Sequence, residues 1–130
     1  MGASGQLILD PAPTESLSNA PAYFVAGGAI GSYSHSEGES TLAVGDSSHT
    51  EGKFTWAAGQ YSHAEGYHAE ATGTQSHAEG YWTYGKGSSS HAEGIYSEAI
   101  GEGSHAEGYY SECEGKYAHA EGQGTKAIGQ

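Results

Sequence analysis

The sequence predicts an all-β solenoid of fourteen-residue coils, and three observations support this fold class. The motif [S/A]-H-x-E-G recurs seven times, beginning at residues 34, 48, 62, 76, 90, 104 and 118. A second motif, A-x-G, lies midway between these copies, and no insertion or deletion breaks the register from residue 29 to residue 130. In both motifs small residues alternate with larger ones, and a period of two is typical of β-strands.

Each coil is expected to contain two strands and two turns. Five residues of alternating size end in a glycine, and two further residues complete the unit as a turn. Glycine supplies the positive φ that tight turns require. Coils stacked in register pair as parallel strands about 4.8 Å apart, which places identical side chains in ladders. We therefore expect a roll of about seven coils over residues 29–130.

The register outweighs a composition that would otherwise indicate disorder. Leu, Ile, Val and Phe make up 13 of 130 residues and the formal net charge is -12, which leaves little apolar surface to offset chain entropy. Other repeat folds fit less well. A coiled coil needs apolar a and d positions and disfavours regular glycine, the nonapeptide calcium roll has another period, and collagen needs glycine at every third residue.

The alternation also predicts which side chains point inward. Two strands of one coil can approach closely only if small side chains lie between them, so Ser, Ala and Gly should line the interior. The outward residues of the A-x-G half vary widely, from Trp56 to Glu98 to Lys126, as expected for a solvated face. In the other half they are always His and Glu, and such uniformity favours contact with another copy of the chain.

The S-x-A-x-G alternation at a fourteen-residue period resembles the head repeats of trimeric autotransporter adhesins, the YadA-like head. Its SHAEG version is similar to repeats in bacteriophage tail-fibre and appendage proteins. The resemblance covers residues 29–130 and implies a left-handed parallel β-roll assembled as a parallel homotrimer. Trimer-facing positions in the adhesins are typically apolar, whereas here they are His and Glu.

These outward residues predict a polar seam between the subunits of the trimer. The histidines should stack as one ladder: His35, His49, His63, His77, His91, His105 and His119. The glutamates should stack beside it: Glu37, Glu51, Glu65, Glu79, Glu93, Glu107 and Glu121. Imidazole donors from neighbouring subunits would satisfy the carboxylates, and the carboxylates should raise the histidine pKa values. A solvated face and a structural zinc or nickel site are the alternatives, and no metal or cofactor is expected.

Aromatic residues follow the SHAEG motif and predict ladders at one corner of the coil. The expected columns are Phe54, His68, Trp82, Tyr96 and Tyr110, with Tyr67, Tyr81 and Tyr109 beside them. Stacked rings stabilise the edge of a solenoid, and they also form carbohydrate-binding grooves. We expect packing, with binding to a host-surface glycan as the alternative.

The remaining features restrict the partners. Residues 1–28 hold all three prolines and no repeat, which predicts an arm that docks on another virion or fibre component, with a capping strand at Tyr23-Phe24-Val25. The chain contains no Arg and only four Lys, so nucleic-acid binding is not expected, nor is membrane insertion. Cys113 replaces an inward alanine and should be a buried thiol without a partner.

Two function classes remain open. The first is a structural fibre or appendage of a bacteriophage virion that contributes to host attachment, and the lack of a visible signal peptide favours it. The second is a bacterial cell-surface adhesin head that binds host matrix or glycan. Motifs repeated seven times do not isolate one catalytic set, so we do not expect an enzyme.

Overall fold

The computed structural model describes residues 28–129, which form a parallel β-solenoid of about seven coils. The all-β fold and the fourteen-residue period predicted from the sequence are confirmed. The predicted arm falls outside the described residues except for Gly28, as does Gln130 at the other end. The parallel trimer and the left-handed coil stay predictions.

Two parallel sheets form the two long sides of the coil. The seven-stranded sheet consists of β2 (His35–Glu39), β4 (His49–Lys53), β6 (His63–Tyr67), β8 (His77–Tyr81), β10 (His91–Ile95), β12 (His105–Tyr109) and β14 (His119–Gln123). The eight-stranded sheet consists of β1 (Gly28–Ala29), β3 (Leu42–Ala43), β5 (Trp56–Ala57), β7 (Glu70–Ala71), β9 (Tyr84–Gly85), β11 (Glu98–Ala99), β13 (Glu112–Cys113) and β15 (Lys126–Ala127). Each strand pairs with the equivalent strand one coil away, so like residues lie opposite each other.

The two strands of a coil differ in length, although both motifs alternate small and larger residues in the sequence. The first motif forms five-residue strands that continue through its glycine, whereas the second motif forms only two residues of ladder. In the second sheet the carbonyl of Ala57 accepts bonds from both Val44 N (2.8 Å) and Gly45 N (3.2 Å). This shared acceptor turns the chain away from the ladder, because two successive amides of an extended strand point to opposite sides.

The core between the sheets is built from small side chains, as the alternation predicted. Its alanines include Ala64, Ala71 and Ala78, and the largest fully buried side chains are those of three threonines, Cys113 and several serines. Some of the inward hydroxyls bond to backbone carbonyls, as Ser62 Oγ does to Gly59 O at 2.6 Å. The interior is thus thin and partly polar, and it buries little apolar surface per residue.

The glycines follow the prediction only in part, because three of the eight second-motif glycines are buried. Those of the second motif include buried Gly59, Gly73 and Gly115, but no glycine of the first motif is buried. The first-motif glycines have φ between 111° and 125°, and a Cβ added to Gly66 would lie 2.2 Å from the carbonyl oxygen of Gly80. They are needed because the backbone is left-handed and the next coil is in contact, so the expectation that they line the interior was wrong.

Corner residues with left-handed backbone are the second difference from the sequence expectation. We expected glycine to supply positive φ at the turns, yet twelve non-glycine residues do so, at φ between 56° and 61°. They are Tyr33, Ser40, Ser47, Phe54, Tyr61, His68, Gln75, Trp82, Ser89, Tyr96, Tyr110 and Tyr117. Such a conformation costs of order 1 kcal/mol or more per residue. Stacking of the coils offsets this cost, because ten of the twelve corner amides bond to the previous coil, as Trp82 N does to Tyr67 O at 2.8 Å.

Candidate functional site

The histidines of the seven-stranded sheet form a continuous imidazole stack on its outer face. Parallel pairing sets each histidine opposite the next one in the ladder, as His91 is opposite both His77 and His105. Ring centroids from His49 to His119 are 4.6–4.8 Å apart with interplanar angles of 2–18°. The first pair, His35 and His49, is edge-on at 74°. The sequence-predicted ladder therefore exists within a single chain.

Six of the seven glutamates approach the histidine two residues before them, because residues two apart in a strand share a face, whereas Glu93 approaches His105 of the next coil. Nε2 of His63 is 3.3 Å from Oε1 of Glu65, and the same atoms of His77 and Glu79 are 3.2 Å apart. Toward the other end, Nε2 of His105 is 3.5 Å from Oε1 of Glu107. The contact of each carboxylate is thus with the imidazole of its own chain.

Close approach does not produce hydrogen bonds along most of this ladder. A hydrogen bond links His35 Nε2 to Glu37 Oε1 at 3.0 Å, at the exposed first coil. In the next five coils Nε2 is buried and has no hydrogen-bond partner. These histidines are His49, His63, His77, His91 and His105. Carboxylate oxygens lie 3.2–3.3 Å from Nε2 of His49, His63 and His77 without forming a hydrogen bond. These five ring nitrogens therefore lack a partner within the described residues.

The environment of His77 corrects the predicted direction of the pKa shift. Burial in the stack lowers the pKa of His77 below its ordinary value of 6.5, and the imidazoles of His91 and His63 lower it further. Glu79 and Glu65 act in the opposite direction but do not prevail. The expectation that the carboxylates raise the pKa was wrong for this residue, because desolvation of a stacked ring outweighs a half-exposed carboxylate.

The ladder also brings together sets of three metal-ligating atoms at successive steps. The set at the centre comprises a ring nitrogen of His63, a carboxylate oxygen of Glu65 and a ring nitrogen of His77, and equivalent sets occur at the other four steps between His35 and His105. Within each set the three ligand atoms lie within 4.8 Å of one another. Imidazole and carboxylate are ligands that Zn²⁺, Cu²⁺ and Ni²⁺ accept.

The aromatic columns occupy one corner of the solenoid, where the sequence placed them. In the corner column His68 stacks on Trp82 with centroids 3.9 Å apart, and Tyr96 stacks on Tyr110 at 4.7 Å. In the column beside it Tyr67 stacks on Tyr81 at 5.2 Å. Ile95 interrupts the second column before Tyr109.

This stacking decides which part of each ring is open. His68 and Trp82 cover one face of each other, since their ring centroids are 3.9 Å apart and their planes are within 7°. Sugars bind aromatic side chains through ring faces rather than edges. The geometry is therefore that of a packed edge, which agrees with the packing interpretation.

Three exposed tyrosines were not singled out from the sequence. Tyr33, Tyr61 and Tyr117 occupy the opposite corner and are all more than half exposed. They share one repeat position, directly before the small residue of the first motif, and this position could have identified them. Ser47, Gln75, Ser89 and Gly103 fill the same position in other coils. The three rings are therefore in coils that are not adjacent and do not form a ladder.

All four lysines of the chain make ion pairs with glutamates of an adjacent coil. Lys53 Nζ is 2.7 Å from Glu39, Lys116 Nζ is 2.8 Å from Glu102, and Lys126 Nζ is 2.8 Å from Glu112. Lys86 likewise pairs with Glu98. No lysine within residues 28–129 is therefore unpaired, and the surface of this segment is strongly acidic.

Cys113 is fully buried among alanines, at the inward position that the sequence assigned to it. Burial raises the pKa of its thiol. A raised pKa disfavours the thiolate, which is the nucleophilic form. The residue therefore packs as a small hydrophobic side chain.

The fold and the ladder together define a class, an acidic parallel β-solenoid with a continuous polar face of His and Glu. No protein-family model matches the chain, and no curated protein matches it either. Residues 28–129 contain no helix that is long and apolar enough to cross a bilayer.

Proposed function

We propose that this chain is a structural fibre or appendage protein of a bacteriophage virion, assembled as a parallel homotrimer through the His–Glu face. The trimer would resemble the YadA-like head and form a rigid shaft or head that contributes to host attachment. The observation that carries the proposal is the identical polar face repeated over seven coils, five of whose Nε2 atoms lack a hydrogen-bond partner.

The thin core favours association. The buried side chains are no larger than threonine and cysteine. Hydrophobic stabilisation grows with the apolar area removed from water, at roughly 25 cal/mol per Å², so Ala and Ser interiors contribute little. Covering a second face with partner subunits adds burial without enlarging the chain.

The ladder suits a repetitive partner. A surface whose pattern recurs every coil is matched best by a surface with the same spacing, and another copy of this chain in parallel register provides it. Partner carboxylates or carbonyls could then accept from the imidazoles that have no acceptor in their own chain. An unpaired buried polar atom costs about 1–3 kcal/mol, so pairing five of them stabilises the assembly.

Shape and charge support a shaft rather than a catalyst. Seven coils at about 4.8 Å each give a stiff rod of roughly 34 Å for this segment. A trimer would carry three times the formal charge of -12, which disfavours adsorption to nucleic acid and to anionic membranes. Residues 1–28, as predicted from the sequence, would dock on another component of the virion or fibre.

Exposed aromatic residues support the alternative of a bacterial surface adhesin. Tyr81, Tyr96 and Tyr110 expose between 39% and 53% of their surface at one corner. Rings of this kind contact host-surface glycans in binding grooves. The stacked arrangement with covered faces keeps this proposal second.

Cross-linking through a single introduced cysteine tests the trimer. In a Cys113→Ala background, Glu79→Cys lies on the proposed seam and Thr72→Cys lies on the opposite, short-strand face. We expect oxidation to produce disulfide-linked dimers from Glu79→Cys alone, and sedimentation equilibrium of the unmodified chain to give three times 13.4 kDa. A folded monomer at micromolar concentration, or equal cross-linking at both sites, would contradict the assembly.

Localisation distinguishes the two functions. An antibody against residues 29–130 should label tails or surface appendages of purified phage particles in negative-stain micrographs. Labelling of intact bacterial surfaces, without labelling of particles, would instead support the adhesin.

A further inference from the structure

We infer that the His–Glu ladder is a row of binding sites for divalent ions of the zinc, copper and nickel class. Each site takes three ligands, namely the His and Glu of one coil and the His of the next coil. This inference does not rest on the proposed function, because all three ligands come from one chain and a bound ion would replace the partner-subunit acceptor proposed above for the same imidazoles.

The separation of His and Glu in one strand suits a shared ion. Two ligand atoms on one tetrahedral zinc at about 2.1 Å are roughly 3.4 Å apart. Nε2 and Oε1 are 3.3 Å apart for His49–Glu51 and for His63–Glu65, and 3.2 Å apart for His77–Glu79. The members of each pair are close together yet not hydrogen-bonded. Both atoms can therefore be directed at a third atom.

The third ligand comes from the neighbouring coil. Glu107 Oε1 is 3.5 Å from Nε2 of His105 and 3.8 Å from Nε2 of His119, so one carboxylate lies between two imidazoles. At the equivalent steps the three ligand atoms lie within 4.8 Å of one another, and the ligands must approach by about 1 Å to bind. The side chains of these His and Glu residues are about one-third exposed, so a small rotation of each can supply this movement. A water molecule would complete the coordination, as in three-ligand zinc sites.

Sharing of histidines limits the number of ions. Each ion uses two adjacent histidines and the ladder has seven, so a chain holds at most three ions. Removing the fourth histidine, His77, leaves two separate groups of three, which hold one ion each. Removing the third, His63, leaves groups of two and four, which still hold three ions. His63 and His77 therefore form a matched pair with equal chemistry and different expected counts.

Zinc binding by the full chain without an affinity tag tests the inference. Isothermal titration with ZnCl₂ at pH 7.5, and metal analysis after gel filtration, should give about three ions per chain. We expect His63→Gln to keep about three ions and His77→Gln to keep about two. His68→Gln, which removes the one histidine outside the ladder, should keep three.

Circular dichroism of each variant establishes that the solenoid remains folded. If His77→Gln fails to fold, His49→Gln replaces it, because removal of the second histidine also leaves room for two ions. The absence of saturable zinc binding would overturn the inference. Equal counts for His63→Gln and His77→Gln, or a loss in His68→Gln equal to that in His77→Gln, would overturn it as well.

Discussion

The imidazole of His68 and the indole of Trp82 lie face to face, with ring centroids 3.9 Å apart and planes within 7° of each other. Both residues have left-handed backbone, at φ 59° and φ 58°. The coil period places them one above the other at the corner, and their contact helps to offset the backbone cost. Stability at this corner thus depends on the ring stack.

Trp82→Ala should lower the free energy of unfolding by about 1–2 kcal/mol, because the indole stacks on His68 and also on Tyr96. Tyr61→Ala is the matched control, since Tyr61 has the same left-handed backbone but no stacked ring within residues 28–129. Urea denaturation compares the two. A glycan array run in parallel should show no signal for the parent chain, and a signal lost in Trp82→Ala would support the adhesin.

Gln75→Gly should raise the free energy of unfolding by about 0.5–1 kcal/mol. Gln75 has φ 61°, and glycine adopts this conformation without the steric cost, as Gly103 does at the same repeat position. Gln60→Gly is the control. Gln60 lies in the turn of the neighbouring coil but does not itself have positive φ, so glycine should lower the free energy of unfolding there. Thermal melts of both variants measure the difference, and destabilisation by Gln75→Gly would contradict the assigned cost.

Gly66→Ala should prevent folding or cost several kcal/mol. The added Cβ would lie 2.2 Å from the carbonyl oxygen of Gly80, and the backbone has φ 115°, which L-residues rarely adopt. Gly124→Ala provides the comparison, because it has φ 63° and nothing within 4 Å of the added Cβ. We expect it to cost about 1 kcal/mol. Circular dichroism and the urea midpoint measure the loss of stability. Similar losses in both variants would show that the contact between coils does not determine the cost of Gly66→Ala.

Stability should fall as the pH is lowered from 7.5 to 5.5. The pKa of His77 is lower in the folded chain than its ordinary value of 6.5, so the unfolded state binds more protons near pH 6. The stability associated with this shift is fully present above about pH 6.5 and is lost as the pH falls through the folded pKa. This is opposite to the direction expected from carboxylate pairing alone.

Urea midpoints in EDTA-containing buffer at pH 7.5, 6.5 and 5.5 measure this effect. His77→Gln should give a flatter pH profile than the parent chain, because it removes one group whose pKa shifts on folding. A parent chain equally stable at pH 7.5 and 5.5 would mean that pairing with Glu79 and Glu65 outweighs burial.

Much of the architecture could be read from the sequence because a strict period constrains every coil in the same way. The spacing of Ser62, Ala64 and Ala71 predicted the inward face, and parallel pairing in register made the His ladder a direct consequence. The position of Cys113 was predictable for the same reason. Repetition turns a local pattern into a tertiary one, since each coil meets only its neighbours.

The backbone conformation of the corners and the pKa of His77 could be known only from the tertiary structure. Nothing in the local sequence of Gln75 or Trp82 indicates positive φ, which arises because stacked coils hold the corner amides in place. The pKa of His77 depends on burial by rings fourteen residues away on either side, and the sequence shows only the carboxylate two residues on. The sequence by itself determined the period, the strands and the inward residues, because these depend on alternation along the chain. Backbone strain, solvation and the direction of each ring nitrogen depend on contacts between coils, and only the tertiary structure decided them.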